Sequence, residues 1–165
     1  MKKQDKTNVM RVLEQKKVPY EAHAYAPEGA KAEEIAGLTG AEIAGRLGEP
    51  VERVFKTLVT RGKSGQYYVF VIPVAEALDL KKAAKAAGEK SIAMILQKEL
   101  LPLTGYVHGG CSPVGMKKQF PTFVHETAET FDTFFVSAGK VGVQVELAPD
   151  DLSKVLRLSF ADLTV

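Results

Sequence analysis

"RVFKTLVTRGKSGQYYVFVIPV", residues 53–74, holds two β-rich runs separated by a polar, glycine-containing segment. The runs at 53–60 and 66–74 are dense in Val, Phe, Tyr, Ile and Thr, residues that suit the pleated, half-buried surface of a strand. "RGKSG" between them carries no apolar anchor and two glycines, so the pair reads as a hairpin. A second pair of the same kind lies at 133–139 ("TFFVSAG") and 141–148 ("VGVQVELA"). Two hairpins predict an antiparallel or mixed sheet with helices packed around it, not a regular alternation of strand and helix. The class expected is α+β.

The flanking segments supply the helices. Residues 7–17 are predicted helical, with Thr7 or Asp5 as cap and Val9, Val12 and Leu13 inward. Val18-Pro19 ends that helix, because a residue before proline avoids helical backbone. "YEAHAYA" at 20–26 alternates like a strand, and "GAEIAGRLG" at 40–48 is a short helix closed by Gly48. The helix signal is clearest in "EALDLKKAAKAAG", residues 76–88, ending at Gly88. A weaker helix is expected at 97–103, strands at 105–110 and 121–126, and a closing helix at 149–158. Pro149 suits the first turn of that last helix, and Asp150 and Asp151 suit its dipole. With no repeat, linker or low-complexity stretch, residues 1–165 read as one domain.

The composition is that of an ordinary soluble protein, 45% apolar and 25% charged. No apolar run approaches the 18 or so residues of a membrane span, and the N-terminal segment is not a secretory signal, so the cytoplasm is the expected location. One cysteine excludes an internal disulfide framework. A net charge of +2 does not by itself announce nucleic acid. Lysines do cluster at 81, 82, 85 and 90 and at 117 and 118, as a solvated face or a phosphate-binding one.

Several constellations could carry chemistry. Cys111 follows His108 by three residues in "YVHGGCSP", and a Cys-His hydrolase needs a thiolate with a base in reach. Adjacency in sequence is weak support for this, since a lone cysteine commonly packs as a small hydrophobe. His23, His108, Cys111 and His125 are zinc-type ligands but lack the tight spacings of known sites. No Walker loop or GxGxxG is present. No cofactor or metal is therefore expected. Lys56 interrupts an apolar strand: it either snorkels to solvent or stands as a cation on a cavity wall. The loop "GGCSPVG", residues 109–115, offers its backbone. Gly109 and Gly110 allow close approach to a ligand and Pro113 stiffens the exit, so N–H groups can face a developing oxyanion. It can equally be a plain tight turn.

Taken together, "RVFKTLV", "LKKAAKAAG", "TGYVHGGCSPVGMKK", "FVSAGKVGVQVEL" and "FADL" resemble the YbaK family of aminoacyl-tRNA editing proteins, and within it the free-standing cysteinyl-tRNA deacylases. The resemblance spans nearly the whole chain in one order. It implies a mixed, barrel-like sheet enclosed by helices, and removal of cysteine from mischarged tRNA(Pro). It gives Lys56 the tRNA 3′ end or the aminoacyl ester to anchor. Gly109, first residue of a GxxxP loop that continues through Gly110, Cys111 and Ser112 to Pro113, comes nearest the scissile carbonyl. Tyr25, Thr57, Ser137, the "SAGKVG" loop and Gln144 form the remaining pocket wall. Some relatives carry an aromatic residue in place of Thr39 and an acidic one in place of Gln144. The implied mechanism uses the substrate's own thiol as nucleophile. The implied partners are aminoacylated tRNA and prolyl-tRNA synthetase. Two other readings compete: a Cys111-dependent thiol hydrolase, and a non-catalytic module that binds tRNA or a synthetase.

Overall fold

The hairpin at the centre of the sequence is also at the centre of the fold. In the computed structural model, which describes residues 6–27 and 30–165, β2 (Phe55–Gly62) pairs antiparallel with β3 (Tyr67–Pro73), from Phe55 opposite Pro73 to Arg61 opposite Tyr67. Gly65, at φ +93°, makes the turn. Val69, Phe70, Val71 and Ile72 are all fully buried, because β3 is covered on both faces. Beside it lie β5 (Thr122–His125) and then β8 (Leu158–Ala161), both parallel, while the short β4 (Ile92–Met94) edges the other side against β2. The five-stranded order is β4-β2-β3-β5-β8.

The second hairpin forms a separate sheet. Here β6 (Phe134–Ser137) and β7 (Val143–Leu147) are antiparallel, and β1 (Glu21–Ala24) adds to β7 in the order β1-β7-β6. A single parallel bridge, Val54 to Phe135, ties the two sheets together. The mixed α+β class is as expected. Among the described residues the strands form two sheets joined at that bridge, and hydrogen bonding does not close them into a barrel.

Five α-helices pack around these sheets among the described residues: α1 (Asn8–Gln15), α2 (Ala32–Ala36), α3 (Gly40–Leu47), α4 (Leu80–Ala87) and α5 (Gln97–Thr104). Thr7 caps α1, its hydroxyl accepting from the Met10 amide at 3.2 Å; Asp5, the other candidate cap, lies outside the described residues. Thr39 and Glu42 close a reciprocal capping box on α3, and Gly48 and Gly88 end α3 and α4 in left-handed geometry as predicted. The main core lies between the sheets, where Phe55 and Phe134 meet edge to face at 5.0 Å. A second cluster under α4 gathers Phe70, Ile72, Ala83 and Leu163. A third, of Ala44, Val54 and Phe135, seats α3 on the inter-sheet bridge.

Several expectations need correction. Residues 105–110 are a turn, not a strand: Gly105 and Gly109 take φ +84° and +85°, and the Gly110 amide folds back to the Val107 carbonyl at 3.0 Å. The closing helix at 149–158 is a 3-10 helix, Pro149–Lys154, and Leu158 already belongs to β8. The helix expected from 76 begins at Leu80, because the Asp79 carboxylate caps it by accepting from the Lys81 and Lys82 amides. Helix α1 stops at Gln15, two residues before its expected end, as Lys17 turns left-handed at φ +58°. Finally, α2 and β4 arise where no element was expected, and β8 starts at the last residue of the expected closing helix.

Candidate functional site

The bridge between the sheets builds the site. Val54 and Phe135 share a packed cluster, and alternation then puts Lys56 on the Val54 face of β2 and Ser137 on the Phe135 face of β6. Gln144 lies directly opposite Ser137 across the β6–β7 pair. Lys56, Ser137 and Gln144 thus lie on the Val54–Phe135 face, away from the Phe55–Phe134 core. Lys56 is half-buried and makes no ion pair among the described residues; burial pushes its amine below the ordinary lysine value, with Glu76 pulling the other way.

Gln144 is 5% exposed, and its Oε1 has no hydrogen-bond partner among the described residues. The same is true of Thr57 Oγ1, and no other buried side-chain polar atom there is unpaired. A buried polar atom left without a partner costs about 1–3 kcal/mol. Both unpaired atoms belong to residues that the family resemblance places on the pocket wall, although alternation along β2 puts Thr57 on the face opposite Lys56.

The turn after Ser137 is held from three sides. Ser137 Oγ accepts from the Gly139 amide at 3.1 Å. Tyr25, 4% exposed, accepts from the Gly142 amide through its hydroxyl at 2.9 Å and donates its own amide to the Gly142 carbonyl at 2.9 Å. The turn's backbone then packs on the glycine loop: a Cβ added at Gly110 would stand 3.0 Å from the Val141 amide nitrogen. The loop is itself fixed by the Tyr106 hydroxyl donating to the Val114 carbonyl and by Ser112 Oγ accepting from the Val114 amide at 3.2 Å, with Ser112 and Pro113 buried.

The structure refines what the loop can do. The Gly110 amide is engaged within the turn, whereas the amides of Gly109 and Cys111 donate to no protein acceptor among the described residues. Gly109 is exposed, so its backbone is open to a ligand. Cys111 is buried in the main core, and that burial pushes its thiol up to about 12. At neutral pH it is a thiol and not a thiolate, which removes the nucleophile that a Cys111 hydrolase requires.

The four zinc-type ligands are not assembled. His108 is exposed, and His125 is buried with Nδ1 accepting from the Leu163 amide at 3.1 Å. His23 instead meets Glu146 at 2.9 Å and Glu21 at 3.7 Å. Thr39 is occupied as a helix cap. The sequence reading missed the network around Glu146, which also engages Arg53 and Thr133. A signal was available: "VQVEL" alternates, putting Gln144 and Glu146 on one polar face.

Residues 29–155 match the family model for the aminoacyl-tRNA editing domain. The chain belongs to that family. Over 163 residues it is 46% identical to an Enterococcus faecalis protein named "Putative Cys-tRNA(Pro)/Cys-tRNA(Cys) deacylase EbsC", covering 99% of this chain and 96% of that one. It is also 30% identical over 79 residues to the proline–tRNA ligase of Fervidobacterium nodosum, a match to 48% of this chain and 14% of the ligase. The fold is shared with a crystal structure described as "a putative trans-editing enzyme for prolyl tRNA synthetase", at TM-score 0.79 and 24% identity, over 96% of this chain and 95% of that one. In this editing domain, α1 and β1 precede the matched segment. Tyr25 likewise precedes it and still fastens the turn at Gly142.

Proposed function

We propose that this protein is a free-standing aminoacyl-tRNA deacylase that removes cysteine wrongly attached to tRNA(Pro). The observation that carries the reading is the 46% identity, end to end, with the E. faecalis protein of that name. The residues supply a matching chemistry. An aminoacyl ester is already activated, so the protein needs to orient it and stabilise an oxyanion more than it needs a strong nucleophile. Lys56 anchors the tRNA 3′ end. The unpaired amides of Gly109 and Cys111 face the carbonyl oxygen, and Thr57, Ser137, Gln144 and Tyr25 wall the aminoacyl group. The two sheets act as halves of an incomplete, barrel-like enclosure.

The nucleophile is the substrate's own sulfur. Its thiolate attacks the ester carbonyl, the bond to the ribose oxygen breaks, and that oxygen takes up a proton as tRNA departs. The four-membered thiolactone so formed is then hydrolysed by water to free cysteine. Good intramolecular geometry is worth roughly 7–11 kcal/mol, part of which the strained ring returns. A separate enzyme has a purpose, because small apolar differences in a proline pocket yield only about 1–3 kcal/mol of discrimination. The place of action is the cytoplasm, and prolyl-tRNA synthetase is the partner that supplies the mischarged tRNA.

Incubation with cysteinyl-tRNA(Pro) and alanyl-tRNA(Pro), following free tRNA, tests the reading. Faster release from the cysteinyl ester is expected; release from neither would overturn it.

A further inference from the structure

Beside the bridge that joins the two sheets stands a charged network that the proposed chemistry does not use. Glu146 accepts from Thr133 Oγ1 and, at 3.2 Å, from Arg53 Nη2 through one oxygen, and meets His23 Nε2 at 2.9 Å through the other. Arg53 also donates to the Thr133 carbonyl from Nε and Nη2, both at 3.1 Å, and to Glu49 from Nη1 at 2.8 Å. Phe135 lies within this network, with the guanidinium 5.2 Å from its ring centre and the His23 ring edge-on at 5.3 Å. The hydroxyl of Thr133, then His23 and Arg53, hold the Glu146 carboxyl below the usual carboxylate range.

The location matters more than the charges. Arg53 immediately precedes Val54, the residue that bridges to Phe135, and Lys56 follows two residues later. Glu146 is two residues from Gln144 on the same face of β7. One carboxylate therefore fastens the root of β2 to the sheet that carries Ser137 and Gln144, beside the Val54–Phe135 bridge. We propose that Glu146 is the positioning residue of this site, clamping Arg53 to the three-stranded sheet so that Lys56 is held in place against Ser137 and Gln144.

Two readouts test the clamp, and only the second rests on the proposed function. The first is NMR titration of the Lys56 ammonium in protein carrying labelled lysine. Removing the negative charge of Glu146 can by itself only lower the Lys56 pKa. Loosening of the wall admits water and raises it. In Glu146→Ala the Lys56 value should climb toward that of an ordinary lysine, and in Glu146→Gln, which keeps the shape and an acceptor, it should not. Should Glu146→Ala fail to fold, Thr133→Val removes one strut of the clamp and should give a smaller rise. No rise in the folded variant overturns the proposal.

The second readout is single-turnover deacylation of cysteinyl-tRNA(Pro). Misplacing a group by about 1 Å costs up to a hundredfold, so the saturated rate should fall about ten- to a hundredfold in Glu146→Ala with half-saturation unmoved. Arg53→Ala should match it, and the double variant should lose no more than either single one. Losses that multiply, or a saturated rate unchanged in Glu146→Ala, contradict the clamp. A wild-type protein that releases no tRNA defeats the functional proposal instead, and the Lys56 titration still decides the clamp.

Discussion

Lys56 and Cys111 are both reactive side chains removed from water, and burial treats them differently. The thiol, pushed up to about 12, is silenced at neutral pH. Cys111→Ala should therefore keep deacylase activity within about tenfold, since the loss of a true nucleophile costs several orders of magnitude. Tenfold is judged by initial rates on folded protein. Lys56 keeps its charge but is held in a place that disfavours it. A lysine whose folded pKa lies below its unfolded one weakens the fold while it is charged. That penalty is relieved only as pH rises through the lowered value. Lys56→Met should then melt no lower than wild type at neutral pH, while the rate of tRNA release falls about a hundredfold or more. Lys56→Arg should also be slow, because a planar fork does not replace a point charge. A variant that melts lower but turns over normally would make Lys56 a structural residue.

The glycine loop and the turn at 138–142 touch through their backbones, so the contact admits no side chain. In Gly110→Ala the new Cβ would lie 3.0 Å from the Val141 nitrogen, and the two loops must part by a few tenths of an ångström. Activity should drop about tenfold or more with only a small change in melting temperature. Gly45, inside α3 with nothing within 4 Å of an added Cβ, is the control. Gly45→Ala should stabilise the protein by about 0.5–1 kcal/mol in denaturant titration and leave activity alone.

Elements with local signals were legible in the chain. The hairpin at 53–74 has its turn written between two apolar runs, and α3 carries both of its caps in sequence. Strand β8 is different: it exists because β5 offers a parallel edge from far along the chain, and four half-exposed residues do not announce that. Residues 105–110 were expected as a strand around Tyr106 and Val107, but two left-handed glycines turn the backbone there. The site followed the same division. The glycines and Lys56 stood out by residue type and Gln144 came only with the family resemblance, whereas the Glu146 clamp depends on which strands meet.

Two sheets joined at a bridge put Lys56, Ser137 and Gln144 on one face, and the buried Cys111 supplies no thiolate. In the proposed function such a site orients and stabilises, and the substrate brings the nucleophile. Binding should accordingly weaken steeply between low and physiological salt, as lysine–phosphate contacts release counterions; a Kd that ignores salt would argue against a tRNA substrate. The nucleophile is tested by single-turnover deacylation at saturating protein, comparing cysteinyl-, S-methylcysteinyl- and seryl-tRNA(Pro). Sulfur attack predicts that methylation nearly abolishes release and that serine, which fits the same space, is slower by several orders of magnitude. Rates for all three within about tenfold, or roughly 1.4 kcal/mol of barrier, would mean that water attacks the ester and that the substrate's sulfur does not.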